Sequence, residues 1–567
     1  MRVWLKEKYG TLPALNRQWG KAFDTWEAVM PETTNEAMKR SDGDYSAWSD
    51  HKEWMDVSFA RSLKMGSEAI RQVDPDALAA IAGAQMPGWG GYDYYRLTQS
   101  LQALEPYDIG NNIEIIRSLN PKLVFVTTSF ERGPREKHRI WYELLHGARG
   151  NLIWDEKAEH VQADGSVGPR GKEVEPYYRE LRGGLGALLI QSRRQADRIA
   201  IHYSQASMRA EWMLAQRGQG EAWVQRTSAT ERMDSEFLRL RESYCRLVED
   251  LGLQYNLVAY GQVEDGELAR GGYRALILPR SSALSDRESK EITEFVRQGG
   301  LLIVDGEPGV FDGSVRKRPA PSLEEVIQSP DRGRVERMKA LDYHQQRLTG
   351  REGPAREAMR RLLAAQGIAP EITVLDGAGQ PASGVETHSF RNGGVRIVGL
   401  LTNPQLRVNE LGPPEFKSNE RFEKPRALKL VLPAPVHAYD LRRGRLLGWK
   451  REIEVALDPY EPALFALSPV EFAALRVAAP ERLARGEMAQ VSVSAGDGTP
   501  AETHVFHVGV FDPAGKEALQ YSGNVTAPGG RASKLLPSAV NDAAGRWTIR
   551  VRDALSGQER SAEIEFY

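Results

Sequence analysis

Residues 121–154 read PKLVFVTTSFERGPREKHRIWYELLHGARGNLIW. Leu123 to Thr128 is apolar and β-branched, bounded by Pro121 and by Gly133-Pro134, and is expected to be a strand. His138 to His146 has helical spacing, and Asn151 to Trp154 reads as the next buried strand. Two apolar strands joined by a helix make a parallel β/α unit. Working upstream, Ala77 to Ala84 (ALAAIAGA) reads as another buried strand. Tyr107-Asp108-Ile109-Gly110 is a short strand candidate, between helices at Tyr94 to Leu104 and Glu114 to Ser118. Four such strands are half the number of an eight-stranded barrel, so the fold class expected for residues 1–190 is α/β, half of a (β/α)8 barrel. Ahead of them lies a helix at about 50–73, carrying Trp54, Val57, Phe59, Leu63 and Ile70, which Asp74-Pro75 ends.

Composition narrows the function classes. At 567 residues the chain has room for about four domains. Lys plus Arg is 75 and Asp plus Glu is 77, a net charge of −2. That balance argues against nucleic acid or an acidic membrane surface as partner. No apolar run approaches the roughly 20 residues needed to cross a bilayer. The opening MRVWLKEKYG lacks the apolar core of a secretory signal, which favours a soluble, cytoplasmic chain without fixing the compartment. A single cysteine, Cys245, excludes a disulfide framework and a cysteine-rich zinc site.

The rest divides into three blocks. Residues 196–370 alternate short strands (Arg198 to Tyr203, Leu257 to Tyr260, Ala275 to Leu278, Leu301 to Val304) with amphipathic helices at Ser235 to Leu251 and Ser285 to Gln298. Ser285 with Glu288 has capping-box spacing. This predicts an open, flavodoxin-like α/β domain. Its Gly- and Pro-rich stretch 306–330 is expected to be a mobile loop. Residues 373–470 and 471–567 show period-two strands split by Gly, Pro and Asn, expected to form two β-sandwiches, the last immunoglobulin-like.

The opening WLKEKYGTLPALNRQWGKAF (4–23), followed by Trp26 and Pro31, resembles the barrel of the β-galactosidases of glycoside hydrolase family 42, and HGARGNLIWD (His146 to Asp155) resembles that barrel's eighth strand. The second block resembles the family's trimerisation domain, which implies a homo-oligomer, a trimer. The resemblance implies no cofactor. It implies retaining hydrolysis by two glutamates, an acid/base after the fourth strand and a nucleophile after the seventh. In the family the fourth strand precedes the WLKEKYG helix, so the resemblance implies that residues 1–190 are the C-terminal half of the (β/α)8 barrel and that the acid/base segment is missing. At the seventh-strand position stand Thr127 and Thr128; the nearest carboxylate is Glu131.

Glu131 is therefore the nucleophile candidate, its bland alternative being a solvated loop carboxylate beside Arg132 and Arg135. Retaining cleavage needs two carboxyls about 5 Å apart, and threonine cannot replace either. Trp154 and Asp155 fall at a barrel mouth, where an indole can stack on sugar and a carboxylate can bind hydroxyls; a strand-end turn is the alternative. Trp89, in the loop PGWGGYDYY, and Asn112 are further substrate-contact candidates against packing alternatives. Asp42, Asp44, Ser46, Trp48, Asp50 and Glu53 have calcium-loop spacing, but Ala47 replaces the required glycine, so no metal is expected. Ser281 and Ser282 lack a nucleophile-elbow motif, and Cys245 is mid-helix, so an amidotransferase reading fails. The expected function is hydrolysis of β-galactosides or related carbohydrate. The alternative is a non-catalytic carbohydrate-binding or assembly protein.

Overall fold

The computed structural model describes residues 1–567 apart from 108, 130, 228–229, 232–233, 404–422 and 497–501. The chain opens with α1 (Arg2–Tyr9) and α2 (Leu12–Trp19). Thr11 caps α2 through its side chain, Pro13 sits in its first turn, and Gly20 ends it in the left-handed conformation. After α3 (Thr34–Met38), the 28-residue α4 (Ser46–Val73) runs to Asp74, where Pro75 stops it as the sequence indicates.

Then come β1 (Ala80–Ala84), α5 (Tyr94–Ser100), β2 (Ala103–Pro106), α6 (Asn112–Leu119), β3 (Val124–Thr128), α7 (Pro134–Leu145) and β4 (Gly150–Leu152). The strands form one parallel sheet in the order β1-β2-β3-β4. Leu104, Phe125, Ile113, Ile115 and Ile116 bury one face of it beneath the helices. Ala80, Ala82 and Leu152 are exposed.

Three local expectations are corrected. The strand expected at 107–110 lies earlier, at Ala103–Pro106. Gly110 and Asn111 have positive φ and turn the chain into α6, so no strand can continue there; Asp108 lies outside the described residues. The helix expected to reach Leu104 stops at Ser100. The strand NLIW was expected to be buried, yet β4 ends at Leu152, and Ile153 and Trp154 are exposed.

After α8 (Pro169–Glu180), α9 (Gly186–Gln191) and the short β5 (Arg193–Gln195), β6 (Ile199–Tyr203) begins a second sheet. It contains β7 (Asn256–Ala259), β8 (Ala275–Pro279), β9 (Leu301–Asp305) and β10 (Arg334–Arg337), all parallel. Read from β7, the spatial order β7-β6-β8-β9-β10 is the flavodoxin-like order 2-1-3-4-5. The α10 helix (Gln205–Gln216) follows β6. Ser235 caps the helix Glu236–Glu249, and Ser285 and Glu288 form the expected capping box on Asp286–Arg297. The stretch 306–330 is not a free loop. Phe311 and Val315 are buried with Tyr45, Trp48 and Trp212, and Arg316 pairs with Asp44.

The third block is one connected sheet: β11 (Thr373–Leu375), β12 (Val385–Asn392), β13 (Val395–Thr402), β14 (Arg426–Asp440), β15 (Arg445–Leu457) and β16 (Ala463–Ser468). β5, which lies between the first two blocks in sequence, joins this sheet by pairing with β12. β14 is long and bulged between Val431 and Val436; its first half pairs with β11 and its second with β16. One strand thereby serves both ends of the sheet, which alternating sequence pattern could not distinguish from two separate sheets. The last block does have two sheets. They are β17 (Arg476–Ala478), β19 (Met488–Ser494) and β22 (Arg531–Pro537), and β18 (Arg482–Leu483), β20 (Thr503–Phe511), β21 (Gly523–Pro528), β23 (Gly545–Asp553) and β24 (Glu559–Phe566). Val491, Val508, Ile549, Trp547 and Phe566 fill the space between them. No described helix is long and apolar enough to cross a membrane.

Candidate active site at the strand ends

The opening motif is an anchoring device. Lys8 Nζ lies 2.7 Å from Asp50 Oδ1, Tyr9 Oη donates to Asp50 Oδ2 at 2.5 Å, and Trp19 Nε1 donates to the same oxygen at 2.7 Å. Asn16 exchanges two hydrogen bonds with the Phe23 backbone. A buried carboxylate with three donors is well compensated, so these residues hold α1 and α2 on α4. This also consumes the calcium-like spacing. Asp50 and Glu53 pair with Lys8, Asp42 with Arg40, and Asp44 accepts from Ser46. Residues from Ser46 onward are helical and do not wrap an ion.

In parallel β/α sheets, reactive groups belong at the C-terminal strand ends. There the sequence reading missed Glu105. It is the next-to-last residue of β2, buried, and alternates with Leu104, which packs beneath the helices. It therefore points to the face of the sheet away from them. Glu105 Oε1 accepts a 2.5 Å hydrogen bond from Thr128 Oγ1, and Oε2 accepts from the Gly83 backbone N–H. One carboxylate thus links the ends of β1, β2 and β3. Burial, with the negative charge of Glu105, raises the Tyr107 hydroxyl above its ordinary pKa. Thr127 and Thr128 are buried at the end of β3.

The other candidates fall as follows. Glu131 lies on the loop between β3 and α7; its N–H donates to Ser129 Oγ, and its carbonyl accepts from Arg170 at 2.7 Å. Asp155 accepts backbone N–H bonds from Glu159, His160 and Val161, which hold its carboxyl below the usual range. That is a turn cap. Trp154 stands 60% exposed beside it, an open aromatic face at the end of β4. Asn112 is fully buried at the start of α6, accepting from Ile109 N–H and donating to Tyr94 Oη. Trp89 stacks on Trp212 at 3.7 Å between centroids and on Trp48 at 5.5 Å. With Trp212, Glu211, Glu236 and Arg280 it lines a cavity of about 460 Å³. Strand-end geometry thus brings Glu105 and Thr128 together. Asn112 is bound into packing, and Trp89 is partly buried in an aromatic stack at the cavity wall.

Two further arrangements contain reactive side-chain types. Glu136, in the first turn of α7, is buried, accepts a 2.5 Å bond from Ser129 Oγ, and is pushed up to about 7 by burial. In the second sheet, His202 Nδ1 lies 2.8 Å from Ser281 Oγ and Nε2 lies 3.0 Å from Glu288 Oε1. This is a serine–histidine–glutamate row at the ends of β6 and β8, beside Arg280 with φ +47°. All three groups are buried, and Glu288 also caps its own helix. An acyl transfer needs an accessible hydroxyl, so the row acts as a hydrogen-bonded tie between strands.

With this geometry in place, comparison with known proteins points in one direction. The profile of glycoside hydrolase family 42, described as Beta-galactosidase, matches residues 1–128. No curated protein sequence matches the chain. Among solved structures, the apo exo-carrageenase GH42 from Bacteroides ovatus superposes with a TM-score of 0.53 at 14% identity over 82% of this chain. A catalytic mutant of a GH42 β-galactosidase from G. stearothermophilus gives 0.59 at 15% identity over 82%. The β-galactosidase from Bacillus circulans sp. alkalophilus gives 0.58 at 14% over 82%. The chain spans 62% of the first of these proteins, 75% of the second and 76% of the third. At such identities the shared property is the fold.

Proposed function

We propose that the chain is a glycoside hydrolase of the β-galactosidase type, presenting half of a carbohydrate-cleaving barrel. The carrying observation is Glu105, a buried carboxylate at the C-terminal end of a parallel strand, facing the side of the sheet the helices leave uncovered. Retaining hydrolysis needs one carboxyl as nucleophile and a second about 5 Å away as acid/base. Glu105, on the strand before the one at which the resemblance puts the nucleophile, is held in the strand layer and takes that role ahead of Glu131, which sits further out on a loop. The acid/base comes from four further strands that close the barrel over the uncovered face, in this polypeptide or another. Trp154 supplies an aromatic platform for a galactoside ring. The flavodoxin-like region carries contacts of a homo-oligomer, a trimer.

The test is release of nitrophenol from a panel of aryl β-glycosides, with the chain alone and joined to the four-strand complement of a family-42 barrel. Turnover that disappears in Glu105→Gln and persists in Glu131→Gln supports the assignment. Loss in Glu131→Gln alone moves the nucleophile to the loop. No turnover in any form, with galacto-oligosaccharide still bound by calorimetry, favours a second reading. In that reading the chain is a non-catalytic carbohydrate-binding protein, and the supporting observation is that both Glu105 oxygens already have partners while Thr127 and Thr128 occupy the nucleophile's usual place. Light scattering tests the trimer.

A further inference from the structure

Where α6, α7, the helix Glu236–Glu249 and β12 meet, the interior is polar. Glu114, Tyr142, His146, Arg246, Glu249, Glu386, His388 and Asn403 are all buried there. Arg246 Nη1 donates to Glu249 Oε2 at 2.6 Å and to Glu386 Oε1 at 2.9 Å, and Asn403 also donates to Glu386 Oε1. Tyr142 Oη donates to Glu114 Oε1 at 2.9 Å.

Two histidines complete the group. His146 Nδ1 is 2.7 Å from the Tyr142 backbone carbonyl, so Nδ1 carries the proton and Nε2 presents a lone pair. That Nε2 is buried and makes no hydrogen bond of acceptable geometry. It sits between two carboxylates, 3.2 Å from Glu386 Oε2 and 3.6 Å from Glu114 Oε1. His388 Nε2 is 3.0 Å from the same Glu386 oxygen. A lone pair facing carboxylate oxygens across a dry interior is repulsive unless a proton or a metal cation lies between them.

We propose that His146 Nε2, His388 Nε2 and Glu386 Oε2 form a structural site for a divalent zinc-class cation. The spacing fits. A tetrahedron with metal–ligand bonds of 2.0–2.1 Å has edges of about 3.3 Å, and Glu386 Oε2 lies 3.0 Å from His388 Nε2 and 3.2 Å from His146 Nε2. His146, Glu386 and His388 donor atoms all lie within 4.8 Å of one another. Two imidazoles with carboxylates suit zinc rather than calcium or magnesium, which take oxygen ligands. The outer shell is also that of a metal site. The second nitrogen of His146 is fixed by a backbone carbonyl, and the non-ligating oxygen of Glu386 by Arg246 and Asn403. The three donors are buried, and the role of the site is to clamp the end of α7 to β12.

The test uses the full chain, purified without metal-affinity resin or chelator. Plasma mass spectrometry is expected to find about one equivalent of zinc per chain. Dialysis against a strong chelator should lower the thermal midpoint by several degrees, and zinc, but not magnesium, should restore it. Cobalt added to the stripped protein should give the intense visible bands of tetrahedral Co(II), absent in His388→Ala. If that variant does not fold, the cobalt spectrum of the unaltered chain decides. Substoichiometric metal in zinc-replete buffer, or a midpoint indifferent to chelator and zinc together with a featureless cobalt spectrum, overturns the proposal.

Discussion

Glu105 and Thr128 join the ends of β2 and β3 through a 2.5 Å hydrogen bond, the hydroxyl donating to the carboxylate. The bond orients the carboxylate, since Gly83 N–H takes the other oxygen. In a barrel completed by four further strands, Glu105→Gln is expected to keep the fold and lower kcat on aryl β-galactosides by at least about a thousandfold, the scale of losing a catalytic group. Thr128→Val keeps the carboxylate but removes its neutral donor. It should lower stability by about 1 kcal/mol and change kcat far less than Glu105→Gln. Equal losses in the two variants would mean that Glu105 is a structural carboxylate only.

The two tryptophans singled out by the sequence separate cleanly. Trp89 is stacked on Trp212 and Trp48, so Trp89→Ala should destabilise by about 3–5 kcal/mol, as large-to-small changes in packed aromatic sites do. Trp154 is exposed, and Trp154→Ala should stay within about 0.5 kcal/mol of the parent. If Trp154 is the sugar platform, affinity for galacto-oligosaccharide falls several-fold in Trp154→Ala with the melting curve unchanged. Calorimetry alongside thermal melts reads both effects, and unchanged affinity removes Trp154 from the site.

Asp50 carries the anchoring motif. It is fully buried and accepts from Lys8, Tyr9 and Trp19. Breaking a buried pair by removing one partner leaves the other uncompensated, at about 3–5 kcal/mol. Lys8 keeps Glu53, so Asp50→Ala should sit near the lower end of that range. Denaturant unfolding measures it; a change below about 1 kcal/mol would mean the motif is not an anchor.

These residues also mark how far the sequence could be read. Apolar, β-branched runs such as LVFVTT and RIAIHY announce buried parallel strands, and Ser285 with Glu288 announces a helix start; both patterns are local, and both kinds of element form. Glu105 was hidden for a physical reason. A carboxylate in Ala-Leu-Glu-Pro interrupts the apolar run, so the strand was placed one step later, on YDIG, where a positive-φ turn forms instead. The only signal for it was the requirement that some strand end carry a carboxylate once Thr127 and Thr128 could not. The His146–His388 cluster gave no signal at all, because its members are 242 residues apart in sequence (388 − 146) and meet only through packing. Nothing in PGWGGYDYY signals that Trp89 will stack on Trp212 of α10.

Glu136 provides a test by pH. Its carboxyl is pushed from an ordinary 4.5 up to about 7, chiefly by burial, with the Ser129 hydrogen bond and Arg170 opposing. The folded state therefore holds a proton that the unfolded chain releases near 4.5. Stability depends on pH through the protons bound by the unfolded state minus those bound by the folded state, which is negative in this window. The contribution is fully present below about pH 4.5 and is lost as pH rises to about 7, by up to roughly 3 kcal/mol. Asp56 and Glu242 are also raised to about 7, so the curve of the parent chain mixes several groups. The difference curve isolates one. Glu136→Gln keeps an uncharged acceptor for Ser129 at every pH, so its stability relative to the parent should climb between pH 4.5 and 7 and then level off. Urea unfolding of both chains at pH 5, 6, 7 and 8 gives that curve directly. A difference that is flat across the window would show that Glu136 is ionised in the folded protein, and that water or a cation reaches it.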